Sequence, residues 1–124
     1  GFDEIYDNKL YYDPRFLCLL LLAAYRIKEE YYINLACTAA KDYHFDSDYP
    51  YENTFIKLML LYFRGNQKHE YIDYLKEKIL PNNQYIHFLY TPFYTEIYVD
   101  YLKKCSRYKE VVNILLDSKN LYRK

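Results

Sequence analysis

The most apolar stretch of the chain runs from Phe16 to Ala24, Phe-Leu-Cys-Leu-Leu-Leu-Leu-Ala-Ala, bracketed by Arg15 and Arg26 and opened by Asp13-Pro14. Asp13 can accept a hydrogen bond from the free amides of a first helical turn. Pro14 suits the first helical position, where its missing N–H is no loss. The pattern predicts a helix from about Pro14 to Ile27. Because it is apolar on every side, it is expected to be covered on every side by the rest of the chain. The expected core includes Leu19, Leu22, Ile56, Met59, Leu60 and Leu75, and an Asp at Leu20 or Leu60 is expected to abolish cooperative unfolding.

The same alternation predicts further helices. Lys28-Glu29-Glu30 is a polar turn into a second helix ending near Lys41, in which Tyr32, Leu35, Ala36, Ala39 and Tyr43 recur at helical spacing. His44 to Pro50 reads as a loop, after which Asn53 or Thr54 caps a third helix ending at Arg64, with only Lys57 polar in its apolar body. Gly65 stands where a left-handed residue would close that helix. Asn66 then caps a fourth helix that carries Tyr71, Ile72, Leu75 and Ile79 to a stop at Pro81. Residues 84 to 90 fit a short helix or an extended segment. Thr91-Pro92 repeats the cap-plus-proline start and opens a fifth helix to about Cys105. Ser106 caps a sixth, striped by Tyr108, Val111, Val112 and Leu115, and Lys119 to Lys124 is expected to fray.

Turns near Arg26–Lys28, Arg64–Gln67 and Lys104–Arg107 recur at a period of roughly forty residues, as in helical-hairpin solenoids. A lone hairpin cannot bury its apolar face, so hairpins stack. The fold class is therefore all-α: about three stacked antiparallel helical hairpins, with six or seven helices. An acidic N-terminal arm, residues 1–12, precedes a single helical-repeat domain, residues 13–124, with hairpins at about 14–42, 53–80 and 92–118. A plain six-helix bundle gives a similar pattern.

Composition narrows the function classes. The 124 residues fit one domain, and seventeen Lys plus Arg balance seventeen Asp plus Glu, so no overall field draws the chain to nucleic acid or an anionic membrane. The C-terminal end is nevertheless basic, with Lys103, Lys104, Arg107, Lys109, Lys119, Arg123 and Lys124 against Glu110 and Asp117. Cys18, Cys37 and Cys105 are odd in number and sit in apolar helical contexts. They read as buried thiols of a reducing intracellular compartment: the cytoplasm, the nucleus or an organelle. The run at 16–24 is about half a membrane span, and its acidic approach does not fit a signal peptide. A start at Gly1 without Met reads as an excised fragment or a processed form. His44, His69 and His87 are isolated and no Cys-x-x-Cys occurs, so no metal is expected. Asp46-Ser47-Asp48 lacks the Gly and distal Glu of a calcium loop. Two Gly leave no phosphate loop or nucleophile elbow, and neither an enzyme nor a cofactor is expected.

Tyr101 to Val112, Tyr-Leu-Lys-Lys-Cys-Ser-Arg-Tyr-Lys-Glu-Val-Val, resembles the turn of a tetratricopeptide repeat, with Ser106 at the usual Gly, Tyr108 at the aromatic position and Val111 at a position that prefers Ala. Leu61 to Ile72 resembles it less closely, with Tyr71 at the small position and Pro81 as the terminal Pro. The resemblance implies a non-catalytic scaffold that binds a peptide or docks in a larger complex. Lys104-Cys105-Ser106-Arg107 is also similar to pentatricopeptide repeats, which implies single-stranded RNA as the partner. Tyr12-Asp13-Pro14-Arg15-Phe16-Leu17 resembles the Asp-x-Arg-aromatic-Leu helix start of the spindle-checkpoint kinase and adaptor family, although this chain has no Trp. That implies kinetochore scaffold peptides.

The favoured expectation is a protein or peptide partner, met at Tyr101, Lys104, Arg107, Tyr108, Val112 and Leu116. Tyr offers large contact area with few rotatable bonds and one polar tip. The final helix also carries Ile114 and Leu121, more apolar surface than one neighbour covers. The chain is thus expected to continue into a longer array or to dock another subunit through residues 108–121.

Overall fold

The computed structural model describes residues 1–67, 69–82 and 87–123, and of 117–123 the backbone only. Among the described residues the helices are α1 Phe2–Asp7, α2 Pro14–Ile27, α3 Glu30–Lys41, α4 Pro50–Arg64, α5 Glu70–Tyr74, α6 Thr91–Lys104 and α7 Tyr108–Arg123. A 3-10 turn, Leu10–Tyr12, leads into α2, and a π-helical turn, Leu75–Ile79, extends α5. No strand occurs among the described residues, so the chain is all-helical. It divides into two compact units, Gly1–Tyr71 and Ile72–Lys124.

In the first unit the Asp13 carboxylate accepts the Arg15 backbone N–H at 2.9 Å and caps α2, with Pro14 at the first helical position. The Arg15 guanidinium adds bonds of 3.1 Å and 2.7 Å to the same carboxylate. Helix α2 then packs against α1, the 3-10 turn, α3 and α4. Leu17, Leu20, Leu21 and Ala24 of α2 meet no solvent, nor do Phe55, Ile56, Leu58 and Met59 of α4. Helix α3 contributes the small buried residues Ala36 and Ala40, which allow close approach.

The expectation that α2 is covered all round is corrected. Phe16, Leu19 and Ile27 are 37%, 43% and 37% exposed. The packed neighbours take up only part of its circumference, and this row is left outside. Leu19 therefore leaves the expected core, while Leu22 and Leu60 are half-buried. Ile56, Met59 and Leu75 are buried as expected.

Residues 1–12 fold as α1 and the 3-10 turn, held largely by rings. Phe2 is buried edge-on to Tyr32 at 5.0 Å and stacks with Tyr6 at 6.0 Å. Tyr6 in turn stacks with Tyr11 at 5.7 Å, and Tyr11 lies 5.1 Å from Tyr12. Farther along the unit, Tyr62 stands edge-on to both Tyr25 and Tyr71.

Three capping expectations are also corrected. Helix α4 opens at Pro50, because Asn53 is occupied by the loop before it: it accepts the Tyr43 hydroxyl at 2.5 Å and donates to the Asp46 carbonyl at 2.6 Å. Thr54 bonds back to the Pro50 carbonyl. Gly65 is extended at φ −62° rather than left-handed, and the left-handed helix end falls instead on Lys28, φ 62°, whose N–H returns to the Ala24 carbonyl at 3.0 Å. Asn66 gives its backbone N–H to the Glu70 carboxylate, and the short α5 starts only at Glu70.

The cap of α2 carries a pH dependence. The Arg15 side chain bonded to Asp13 holds the Asp13 carboxyl below its ordinary value. Its contribution is therefore full above the ordinary carboxylate range and fades as pH falls through the lowered folded value. Asp13→Ala is expected to cost about 1 kcal/mol at neutral pH. The gap to the unmodified chain should narrow below roughly pH 4. Urea unfolding across a pH series measures it, and a gap constant down to strong acid would contradict the assignment.

In the second unit Ile72, Leu75 and Ile79 are buried along α5 and its π-helical turn, with Phe93, Tyr94, Ile97, Val99 and Leu102 along α6. The segment predicted over 84–90 lies partly outside the described residues. His87 to Tyr90 forms a turn in which the His87 ring stacks on Phe88 and on Tyr90, both at 4.8 Å. Thr91 accepts the His87 backbone N–H at 2.7 Å, so its hydroxyl braces the turn, while Tyr90 takes the cap position of α6.

Candidate functional site

Tyr101, Lys104, Arg107, Tyr108, Val112 and Leu116 fall on the α6–α7 turn and along α7. The turn is a paired helix end: the Ser106 N–H returns to the Lys103 carbonyl at 3.0 Å and the Arg107 N–H to the Leu102 carbonyl at 2.9 Å. Ser106 sits at φ 59°, the left-handed position that usually takes Gly. It closes α6 and does not cap α7, contrary to expectation. Arg107 instead grips Glu110 in the first turn of α7 through two bonds, Nε to Oε1 at 2.7 Å and Nη2 to Oε2 at 2.6 Å. Each raises the other's preference for its charged form, holding the Glu110 carboxyl below its usual range and the Arg107 guanidinium above.

These contacts sort the six residues. Val111 packs with Val99 and Leu102 in a buried cluster, against which Tyr98, Tyr101 and Ile114 lie partly buried. Tyr101 therefore belongs to the inner side of the hairpin. A hydrogen bond with the Cys105 side chain pushes its hydroxyl pKa up. Tyr108, Val112 and Leu116 stand outside, 60%, 56% and 56% exposed, joined by Leu115 at 47%. The stripe expected from Tyr108, Val111, Val112 and Leu115 thus splits into two rows. Residues 111 and 114 face α6, and residues 108, 112, 115 and 116 share the open face at spacings of four, seven and eight. Leu115, in the same predicted stripe, is not among the expected contact residues, yet it joins this open face. Lys104 and Lys109 are exposed. The side chains of 117–121 lie outside the described residues.

Comparison with protein-family models, curated proteins and solved structures finds no match. The surface has its own chemistry: four large apolar side chains share one open face of α7. Cys18 and Cys37 are buried thiols outside any disulfide, as expected, whereas Cys105, also outside a disulfide, is exposed because it lies just past the last buried turn of α6. No described helix is long and apolar enough to cross a membrane. A concavity lies between α3 and α4 and is lined by Asn34, Cys37, Thr38, Lys41, Leu60 and Arg64.

Proposed function

We propose that the chain is a non-catalytic protein-interaction scaffold of tetratricopeptide-like stacked hairpins, which docks a protein partner on the outer face of α7. The observation that carries the reading is the open row Tyr108, Val112, Leu115 and Leu116 beside the satisfied row Val111 and Ile114. An apolar face left over after a helix has met its neighbour is the kind of surface that partners cover. Arg107, taken up by Glu110, has less to offer a phosphate, which favours a protein over single-stranded RNA at this turn.

The double variant Val112→Asp/Leu116→Asp tests the reading. Both positions are exposed, so each change should move stability by no more than about 0.5 kcal/mol. Affinity capture should then lose a specific co-purifying protein that the unmodified chain retains. An unchanged partner set, or retention of single-stranded RNA with affinity falling steeply in salt, would replace the proposal.

A further inference from the structure

The α3–α4 concavity is a groove of about 560 Å³ within the first unit. One wall is a single face of α3, where Asn34, Cys37, Thr38 and Lys41 recur at spacings of three, four and seven. The other is the last turn of α4, with Leu60 and Arg64. Its floor is apolar: Cys37 is buried, burial pushes its thiol pKa up and keeps it neutral, and Leu60 is half-buried beside it.

The groove has a cation at each end. Arg64 is anchored beside Asn34, whose side-chain oxygen accepts from its guanidinium. Lys41 lies seven residues farther along α3, roughly 10 Å down the helix axis. Lys41 is exposed and forms no ion pair among the described residues. Besides Asn34 and the Phe63 carbonyl, the latter at 3.1 Å, Arg64 reaches Glu30 at 3.3 Å, in a pair whose side chains are 43% and 70% exposed. So exposed a pair holds weakly and can exchange partners.

We infer that this groove binds a short acidic peptide in extended form, with one carboxylate on Arg64, a second on Lys41 and an apolar side chain between them over Cys37 and Leu60. A polyproline-like chain, rising about 3.1 Å per residue with three residues per turn, places residues i and i+3 on one side about 9 Å apart. That is close to the roughly 10 Å rise along α3 from Asn34, which holds Arg64, to Lys41, so the recognised pattern is acid-x-x-acid. Glu30 occupies Arg64 in the free chain and is displaced when the peptide arrives. The site shares no residue with the α7 face, and either assignment can fail without the other.

The probe is a fluorescein-labelled capped peptide carrying Glu-Leu-Ala-Glu between Gly-Ser flanks, titrated against the full chain by anisotropy. Lys41→Gln, which breaks no ion pair among the described residues, should weaken binding about tenfold, as should Arg64→Gln. Glu30→Gln should tighten it several-fold by freeing Arg64. Amide shifts should fall at residues 34–41 and 60–64 and leave 108–116 unmoved. Any one of four results would overturn the inference: no binding by the unmodified chain, equal binding of a Gln-Leu-Ala-Gln peptide, equal binding of a peptide with adjacent acids, or indifference to Lys41→Gln.

Discussion

Replacing Leu20 by Asp is expected to leave the Gly1–Tyr71 unit without a cooperative unfolding transition. Leu20 has no solvent exposure, in the middle of a helix that meets α1, α3 and α4. A carboxylate there must either stay ionised without partners or draw water into the core. Either course costs several kcal/mol, comparable to the whole stability of a domain of this size, about 5–15 kcal/mol. Leu20→Ala should be graded, at about 2–5 kcal/mol. Asp at Leu60 is now expected to be milder than the sequence suggested, because that half-buried side chain borders the α3–α4 groove and its carboxylate can reach water. Urea titration followed by far-ultraviolet circular dichroism separates these outcomes. A Leu20→Asp chain that unfolds at the original midpoint would mean that this face of α2 is open.

The second large effect belongs to Gly65. A Cβ built on it would stand 2.5 Å from the Leu61 carbonyl oxygen and 2.6 Å from a Glu70 carboxylate oxygen. The first contact is with the backbone at the end of α4, where the Gly65 N–H bonds that same carbonyl at 2.8 Å, so relief requires giving up the helix end. The second is with the side chain that holds the Asn66 N–H. Gly65→Ala is expected to cost about 1–3 kcal/mol, as overpacking does. Adding Glu70→Ala should recover only part of it, since the backbone clash stays. Thermal melts of the single and double variants check this, and a neutral Gly65→Ala would show that the connection after α4 yields freely.

Much of the helical layout was legible. Asp13-Pro14 marked the start of α2 to the residue, and the apolar runs located α3, α4, α6 and α7, because caps and 3.6-residue periodicity are local signals. Two kinds of feature were not local. A helix apolar on all sides carries no mark of which row its neighbours leave open, so Leu19 was placed inside and the division of α7 into rows 111/114 and 108/112/115/116 was blurred. The left-handed positions also went unseen. The chain has only two Gly, so Lys9, Lys28 and Ser106 take positive φ in their place. A Lys gives no hint of this, and Gly65, the residue that did suggest it, is extended. The α3–α4 groove escaped because Asn34 and Arg64 stand thirty residues apart and no local signal joins them.

The aromatic contacts of the first unit also govern how this protein handles light. With nineteen Tyr and no Trp, there is no indole to collect absorbed ultraviolet energy. In the rows Tyr6–Tyr11–Tyr12 and Tyr25–Tyr62–Tyr71, ring centres lie between 4.9 and 5.7 Å apart. Excitation can hop among such rings before emission, and each hop between differently tilted rings erases some of the memory of polarisation. The native chain should therefore emit tyrosine light that is depolarised beyond what tumbling alone produces, and separating the rings removes that loss, giving an optical gauge of the fold that needs no label.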